Sequence, residues 1–292
     1  MKTRIIIILI FLCQFSQSQN VIVVDSLTNK PIPFVNIYLS NNNGTFTNEN
    51  GYFELNRKLK DSIKFSHLGY SELTVLASDI KDTIVLSPNA VILKEVNITN
   101  GKKIIKYIDF PKKKSHYGSF PVISKSEIIT FLIPSNENSD SFISNLNFKF
   151  EKKKYMENQS NLRTAFRINI YNSLDEKIDN KIFSSETFIV DATKKESIDV
   201  DLNDYNIQFS KEGIFISIEV IGDIDNEGNI TNLKSTLRPV LTSNTTQDYS
   251  AKTYIKYIFD KKMILNPINE ILEKGSGDKI NRNLSFGITL IK

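Results

Sequence analysis

Three oxygen-rich clusters are the places where this chain could do chemistry. Asp223-Ile224-Asp225-Asn226-Glu227-Gly228 puts oxygens at the first, third and fifth positions before a glycine, as a calcium loop does. The twelfth position of such a loop supplies a bidentate Glu, and here it is Lys234. A loop tip between Val220 and Ile230 accounts for the same residues, so Asp223, Asp225 and Glu227 stand as calcium candidates in an incomplete loop. Asp199 and Asp201, with Asp204 beyond them, alternate with Val200 and Leu202, which places the first two on the outward face of a strand. Paired carboxylates serve glycosidases, but strands expose acids routinely and the spacing fixes no separation. Asn48-Glu49-Asn50-Gly51 offers a single carboxylate, too few oxygens for an ion, and reads as a turn with Gly51 at positive φ. Sugar stacking would need aromatic platforms; Trp is absent, and spacing does not bring Tyr155, Tyr171, Tyr205, Tyr249, Tyr254 and Tyr257 to one surface.

Other chemistries have less support. The two histidines, His67 and His116, fall in different predicted domains, with no paired-His zinc spacing. Gly-x-Ser-x-Gly is absent, and Gly275-Ser276-Gly277 reads as a flexible loop. There is no Walker lysine loop and no dinucleotide fingerprint. No catalytic residue and no cofactor are predicted.

Met1 to Ser18 combines Lys2 and Arg4, an apolar run from Ile5 to Leu12, and small residues at Ser16 and Ser18, which predicts a secretory signal peptide (1–18). The run is short for a membrane span, and Leu12 before Cys13 disfavours lipid attachment. Cys13 is the sole cysteine, so the remainder has neither disulfides nor cysteine metal sites and must be stabilised by burial. Formal charge is +4, and loss of Lys2 and Arg4 brings it nearer neutral, against bulk attraction to nucleic acid. No later segment reaches the ~18 apolar residues of a membrane helix.

Period-two patterning dominates the rest of the chain. Val35, Ile37 and Leu39, then Phe53 and Leu55, then Ile63 and Phe65 alternate with polar residues, as half-buried strands do. Asn41-Asn42-Asn43-Gly44 and Asn48-Glu49-Asn50-Gly51 read as successive hairpin turns, and Lys30-Pro31-Ile32-Pro33 as an extended lead-in. Gly69-Tyr70 reads as a bend, with the Tyr70 ring packed against the sandwich.

These residues in order resemble the carboxypeptidase-like regulatory domain: Val24-Asp25, Lys30 to Ile37 with Pro31 and Pro33, Gly44 to Phe53 with Asn48, Asn50 and Gly51, and Asp61 to Tyr70 with Gly69. That domain is widespread in secreted and outer-membrane proteins of Bacteroidetes, including N-terminal extensions of TonB-dependent receptors. The resemblance spans about residues 20–98 and implies a small transthyretin/prealbumin-like β-sandwich without catalytic residues. Where the family usually has Thr-Asp before its turn, this chain has Thr47-Asn48.

Lys102, Lys103, Lys106, Lys112, Lys113 and Lys114 surround one acid, Asp109, across 100–114, which predicts a solvated basic linker, with contact to anionic lipid or lipopolysaccharide as the alternative. Alternating sets at Leu146/Phe148/Phe150, Phe166/Ile168/Ile170, Ile198/Val200/Leu202, Ile214/Ile216/Ile218/Val220 and Leu284/Phe286/Ile288/Leu290, with the run Ile128–Ile133, predict a second, jelly-roll-like β-sandwich. Pro267 to Lys274 is the one helix expected, capped by Asn266 and stopped by Gly275. The expectation is thus an all-β chain: signal peptide 1–18, regulatory-type sandwich 19–99, linker 100–114 and second sandwich 115–292. It is read as an exported, non-catalytic envelope protein, in the periplasm or on the outer-membrane surface, acting as an adaptor for an envelope protein or surface glycan. A glycan- or peptide-binding module using second-domain loops, calcium-assisted or not, is the alternative, and a carboxylate hydrolase the third.

Overall fold

The computed structural model describes residues 18–89, 105–108, 124–152, 163–191, 197–231, 237–243, 246–277, 279 and 281–292. The expected signal segment through residue 17, the lysines at 102, 103 and 112–114, His116, Tyr155 and Lys234 lie outside the described residues. The chain divides into two compact units, residues 1–90 and 91–292.

The first unit holds β1 (Ser18–Asp25), β2 (Asn36–Tyr38), β3 (Gly44–Phe46), β4 (Tyr52–Asn56), β5 (Ser62–Ser66), β6 (Leu73–Leu76) and β7 (Thr83–Leu86). They form two sheets, β4-β1-β7 and β3-β2-β5-β6, antiparallel except for the β1–β7 pair. Alternation sends Val21, Val23, Phe53, Leu55, Ile84 and Leu86 from one sheet against Ile37, Ile63 and Phe65 from the other. Phe53 and Phe65 meet edge-on across this core, centroids 5.7 Å apart.

The second unit holds β8 (Ile105–Ile108), β9 (Ser126–Pro134), β10 (Phe142–Lys152), β11 (Arg163–Leu174), β12 (Lys177–Ser184), β13 (Phe188–Asp191), β14 (Ser197–Asp201), β15 (Ile207–Gln208), β16 (Ile214–Ile224), β17 (Ile230–Thr231), β18 (Leu237–Pro239), β19 (Leu241–Thr242), β20 (Tyr249–Tyr257), β21 (Asn266–Pro267), α1 (Ile268–Ser276), β22 (Asn283–Leu284) and β23 (Phe286–Ile291). One sheet runs β8-β23-β10-β14 and the other β12-β11-β16-β9, with β20 added beyond β9. Taking these eight strands in chain order, the first lies beside the eighth, the eighth beside the third and the third beside the sixth. The second lies beside the seventh, the seventh beside the fourth and the fourth beside the fifth. That double Greek-key order is the jelly roll. Phe148, Phe150, Ile288 and Leu290 from one sheet and Phe166, Ile168, Ile216 and Ile218 from the other fill the space between the sheets.

Four details differ from the sequence reading. Ile105–Ile108, inside the expected linker, pairs with β23 as an edge strand, so the basic stretch is not linker throughout. Gly44 lies within β3 rather than in the turn, which Asn41 and Asn42 make at φ of 61° and 54°. The Asn48–Gly51 turn joins β3 to β4, which belong to different sheets, so it passes the chain across the sandwich and is not a hairpin. The helix stops at Gly277, at φ 77°, two residues past the expected Gly275, and Pro267 rather than Asn266 occupies its N-cap without a side-chain cap.

Candidate functional site

In the first unit the motif residues are tied to one another. Asn48 Oδ1 accepts from the amides of Asn50 (3.0 Å) and Tyr52 (2.9 Å), an Asx turn that consumes the oxygen a ligand would need. Gly51 sits at φ 80°, where an added Cβ would lie 2.8 Å from Pro31 Cβ and 3.2 Å from Val23 O, so only glycine fits beside the Pro31 lead-in. Pro33 introduces Phe34, a buried aromatic held at φ 56°. Thr47, fully buried, donates to Ile32 O and accepts from the Val35 amide, both at 2.9 Å, which fixes that lead-in. Gly69 turns at φ 77°, and the Tyr70 hydroxyl donates to Asp25 at 2.8 Å. Asp25 also accepts from the Thr28 and Leu27 amides; the Thr28 amide first, then Tyr70, holds its carboxyl below the usual range. The tetrad and bend are structural parts of the sandwich.

In the second unit, the acidic candidates serve separate local roles. Asp223 is fully buried and accepts from Thr164 at 2.5 Å, while Asp225 Oδ1 accepts from the amides of Glu227 (2.9 Å) and Asn229 (2.8 Å) at the β16–β17 tip. Among the described residues no group of three or more His, Cys, Asp or Glu side chains is disposed to hold a metal. Asp199 and Asp201 do share the exposed face of β14, with Asp204 also exposed. Asp199 accepts from Asn147 Nδ2 at 2.8 Å; Asp201 accepts from the Asn203 amide at 2.9 Å and its side chain at 2.6 Å, bonds that hold its carboxyl low. Lys106 is bound rather than free for lipid: its ammonium lies 2.7 Å from Asp248 and 3.5 Å from Glu137, anchoring β8 to neighbouring loops.

The tyrosines scatter. Tyr171 and Tyr249 are buried, Tyr257 stacks edge-on against Phe259, and Tyr205 stands on the β14–β15 loop with 43% of its surface exposed.

On the face of the larger sheet turned away from the core, the structure reveals a charged network at alternate positions that periodicity alone reads as solvated. Arg167 and Glu219 pair at 3.0 Å, and Lys256 and Glu127 at 2.6 Å, all four buried. Asn169 donates to both carboxylates, at 3.2 Å to Glu127 and 2.8 Å to Glu219, while Ser184 donates to Asn169 Oδ1 at 2.6 Å. Tyr171 donates to Glu127 at 2.8 Å, and Ser217 adds a further bond to the same oxygen. Burial would push the Glu127 carboxyl up; the Lys256 and Lys181 ammonium groups and the donors overturn that and hold it at about 2. Beside this network Phe131 and Phe215 stack at 4.7 Å in an apolar cluster with Ile129 and Tyr171. Such mutually satisfied charges are a packing solution more than a reactive site. The signal in the sequence was opposite charges at alternating positions of neighbouring strands, Glu127, Arg167, Glu219 and Lys256, readable only once strand order is known.

A cleft of 510 Å³ opens where the β11–β12 hairpin meets the loops around β15. Asn172, Ser173 and Leu174 close one wall with Asp179 and Ile182 of β12; Tyr205, Asn206, Ile207 and Gln208 form the other, with Ser210, Glu212 and Gly213 at its end. Two glycine-like backbone positions shape it. Asn206 takes φ 51°, and Gly213 takes φ 88° with the Phe131 ring packed directly against its Cα. Tyr205 is steadied by an edge contact to Phe183, centroids 4.7 Å apart. Gln208 donates to Asp140 at 3.1 Å, and Ser210 hydrogen-bonds Glu212, holding that carboxyl low. Sequence reasoning missed this site because its residues converge from a hairpin and a loop some thirty positions apart, none forming a motif.

Residues 22–98 match the family model described as CarboxypepD_reg-like domain. The match falls on the N-terminal unit, whose two packed sheets form the transthyretin-like sandwich that its ordered motifs implied. No curated protein and no solved structure matches the chain.

Proposed function

We propose that the chain is an exported, non-catalytic interaction module of the cell envelope, in which the first sandwich is a structural adaptor and the jelly roll captures a ligand, glycan or peptide, in the loop-end cleft. One observation carries this reading: a cleft of small-ligand size, roughly in the 300–1,000 Å³ range, built from the end of a hairpin and the loops facing it, where recognition residues concentrate. Its walls offer amides, hydroxyls and an exposed tyrosine, and the carboxylate that the Ser210 hydroxyl meets, Glu212, is held low and so is a weak base. The test is mild crosslinking of the protein in its native envelope, followed by identification of what is bound. Stoichiometric recovery of an envelope protein or glycan, lost on substituting the cleft, supports the reading; recovery of the chain alone overturns it.

A further inference from the structure

We infer that the cleft between the β11–β12 hairpin and the β15 loops takes a neutral saccharide. The inference rests on the preceding reading of that cleft as the ligand site and names its ligand class.

A sugar ring presents hydroxyls that both donate and accept, arranged around a C–H surface that packs on apolar or aromatic side chains. Asn172, Asn206 and Gln208 contribute amides, neutral side chains that carry donor and acceptor on a single rigid plane. Tyr205, 43% exposed, with Leu174 at 63% and Ile182 at 36%, supplies apolar surface beside them. Phe183 fixes the Tyr205 ring, so packing a sugar on it costs little conformational freedom.

Charge narrows the class further. The ionisable acids in the lining are Asp179 and Glu212, and among the described residues no lysine or arginine lines the cleft. Both carboxylates are held in place, Asp179 by the Asn180 amide at 2.8 Å and Glu212 by Ser210. They can accept from ligand hydroxyls. Against a uronate, sulfate or phosphate they set like charge that Lys211, 77% exposed and 3.9 Å from Glu212, offsets only in part, which gives specificity by exclusion.

The experiment applies the purified full-length mature chain to an array of immobilised neutral oligosaccharides, uronate-containing and sulfated oligosaccharides, and peptides. Tyr205→Ala and Asn206→Gly are run in parallel. The second variant deletes the amide while keeping a residue suited to φ 51°, so it retains the backbone even if Tyr205→Ala disturbs the loop. The expected result is retention on neutral glycans, weakened at least tenfold by each variant, with acidic glycans not retained. Cleft-dependent retention of acidic glycans or of peptides overturns the saccharide class while leaving the cleft as the ligand site. No retention, or retention indifferent to both variants, overturns the inference and the cleft reading together.

Discussion

Lys256→Met should destabilise the second unit by about 3 kcal/mol at neutral pH. The Lys256 and Glu127 side chains are 8% and 2% exposed and 2.6 Å apart. Removing one partner of a buried pair leaves an uncompensated charge, which costs roughly 3–5 kcal/mol. The Lys256 ammonium, ahead of Lys181 and the donors, is also what holds the Glu127 carboxyl at about 2 against an ordinary 4.5 despite its burial. Tyr171, Asn169 and Ser217 still donate to the carboxylate after the substitution, which puts the expected loss at the lower end of that range. Methionine keeps most of the lysine stem's packing, so the change isolates the charge.

Urea unfolding followed by far-ultraviolet circular dichroism is the suitable assay, since the chain has no Trp for fluorescence. With a slope of roughly 2–3 kcal/mol per molar, the midpoint should fall by about 1–1.5 M. The pH dependence has a definite sign. A carboxyl whose folded pKa is depressed contributes stability fully above its unfolded value and loses it as pH falls toward about 2. In Lys256→Met that window moves up, so acid unfolding begins at higher pH. Glu127→Gln combined with Lys256→Met should recover more than about 1 kcal/mol relative to Lys256→Met alone, because neither charge is then stranded. A midpoint shift below about 0.3 M, or a double variant no more stable than the single one, would refute the claim that this pair is a coupled buried charge.

Two further outcomes concern the backbone and the first unit. Gly213→Ala should cost several kcal/mol in urea unfolding, since its Cβ would run into the Phe131 ring and lie 2.8 Å from Leu132 O at φ 88°, whereas Gly287→Ala meets only the movable end of Tyr107, 55% exposed, and should cost about 1 kcal/mol or less. Tyr70→Phe should raise the Asp25 carboxyl pKa, read by NMR titration, because one bond to its charged form is lost; the Thr28 and Leu27 amides remain, so the rise is partial.

The alternating runs through Phe148, Phe166, Ile216 and Ile288 made both jelly-roll sheets legible because a core residue at every second position is a local property of a strand. Beyond reach were features that depend on which strand lies next to which. β20 was not foreseen: its Thr253 and Lys256 are buried polar residues, and it packs as an added edge beside β9. β8 was hidden among lysines, since Lys106 reads as solvated until Asp248 and Glu137 are brought to it. The turn at Asn48–Gly51 was legible as a turn, but its passage between sheets was not, because hairpins and crossings use the same residues. The cleft had no local signature, being assembled from amides that any loop could carry.

The network and the cleft belong to one construction. Tyr171, bonded to Glu127, is followed directly along β11 by Asn172 of the cleft wall. Opposite it, Phe215 pairs with both Tyr171 and Phe131, and the Phe131 ring packs on Gly213 at the cleft's end. One of the strands that carry the charges, β11, therefore carries a cleft amide as well. A loop-built site gains affinity when its walls are held before the ligand arrives, because less ordering remains to be done on binding. Buried ion pairs add little net stability over apolar residues of similar volume, but they tolerate few alternative registers. Fixing β9, β11, β16 and β20 against slippage is the use they are suited to here. A one-residue slip of β11 would turn Asn172 away from the cleft and Ile170 out of the core together.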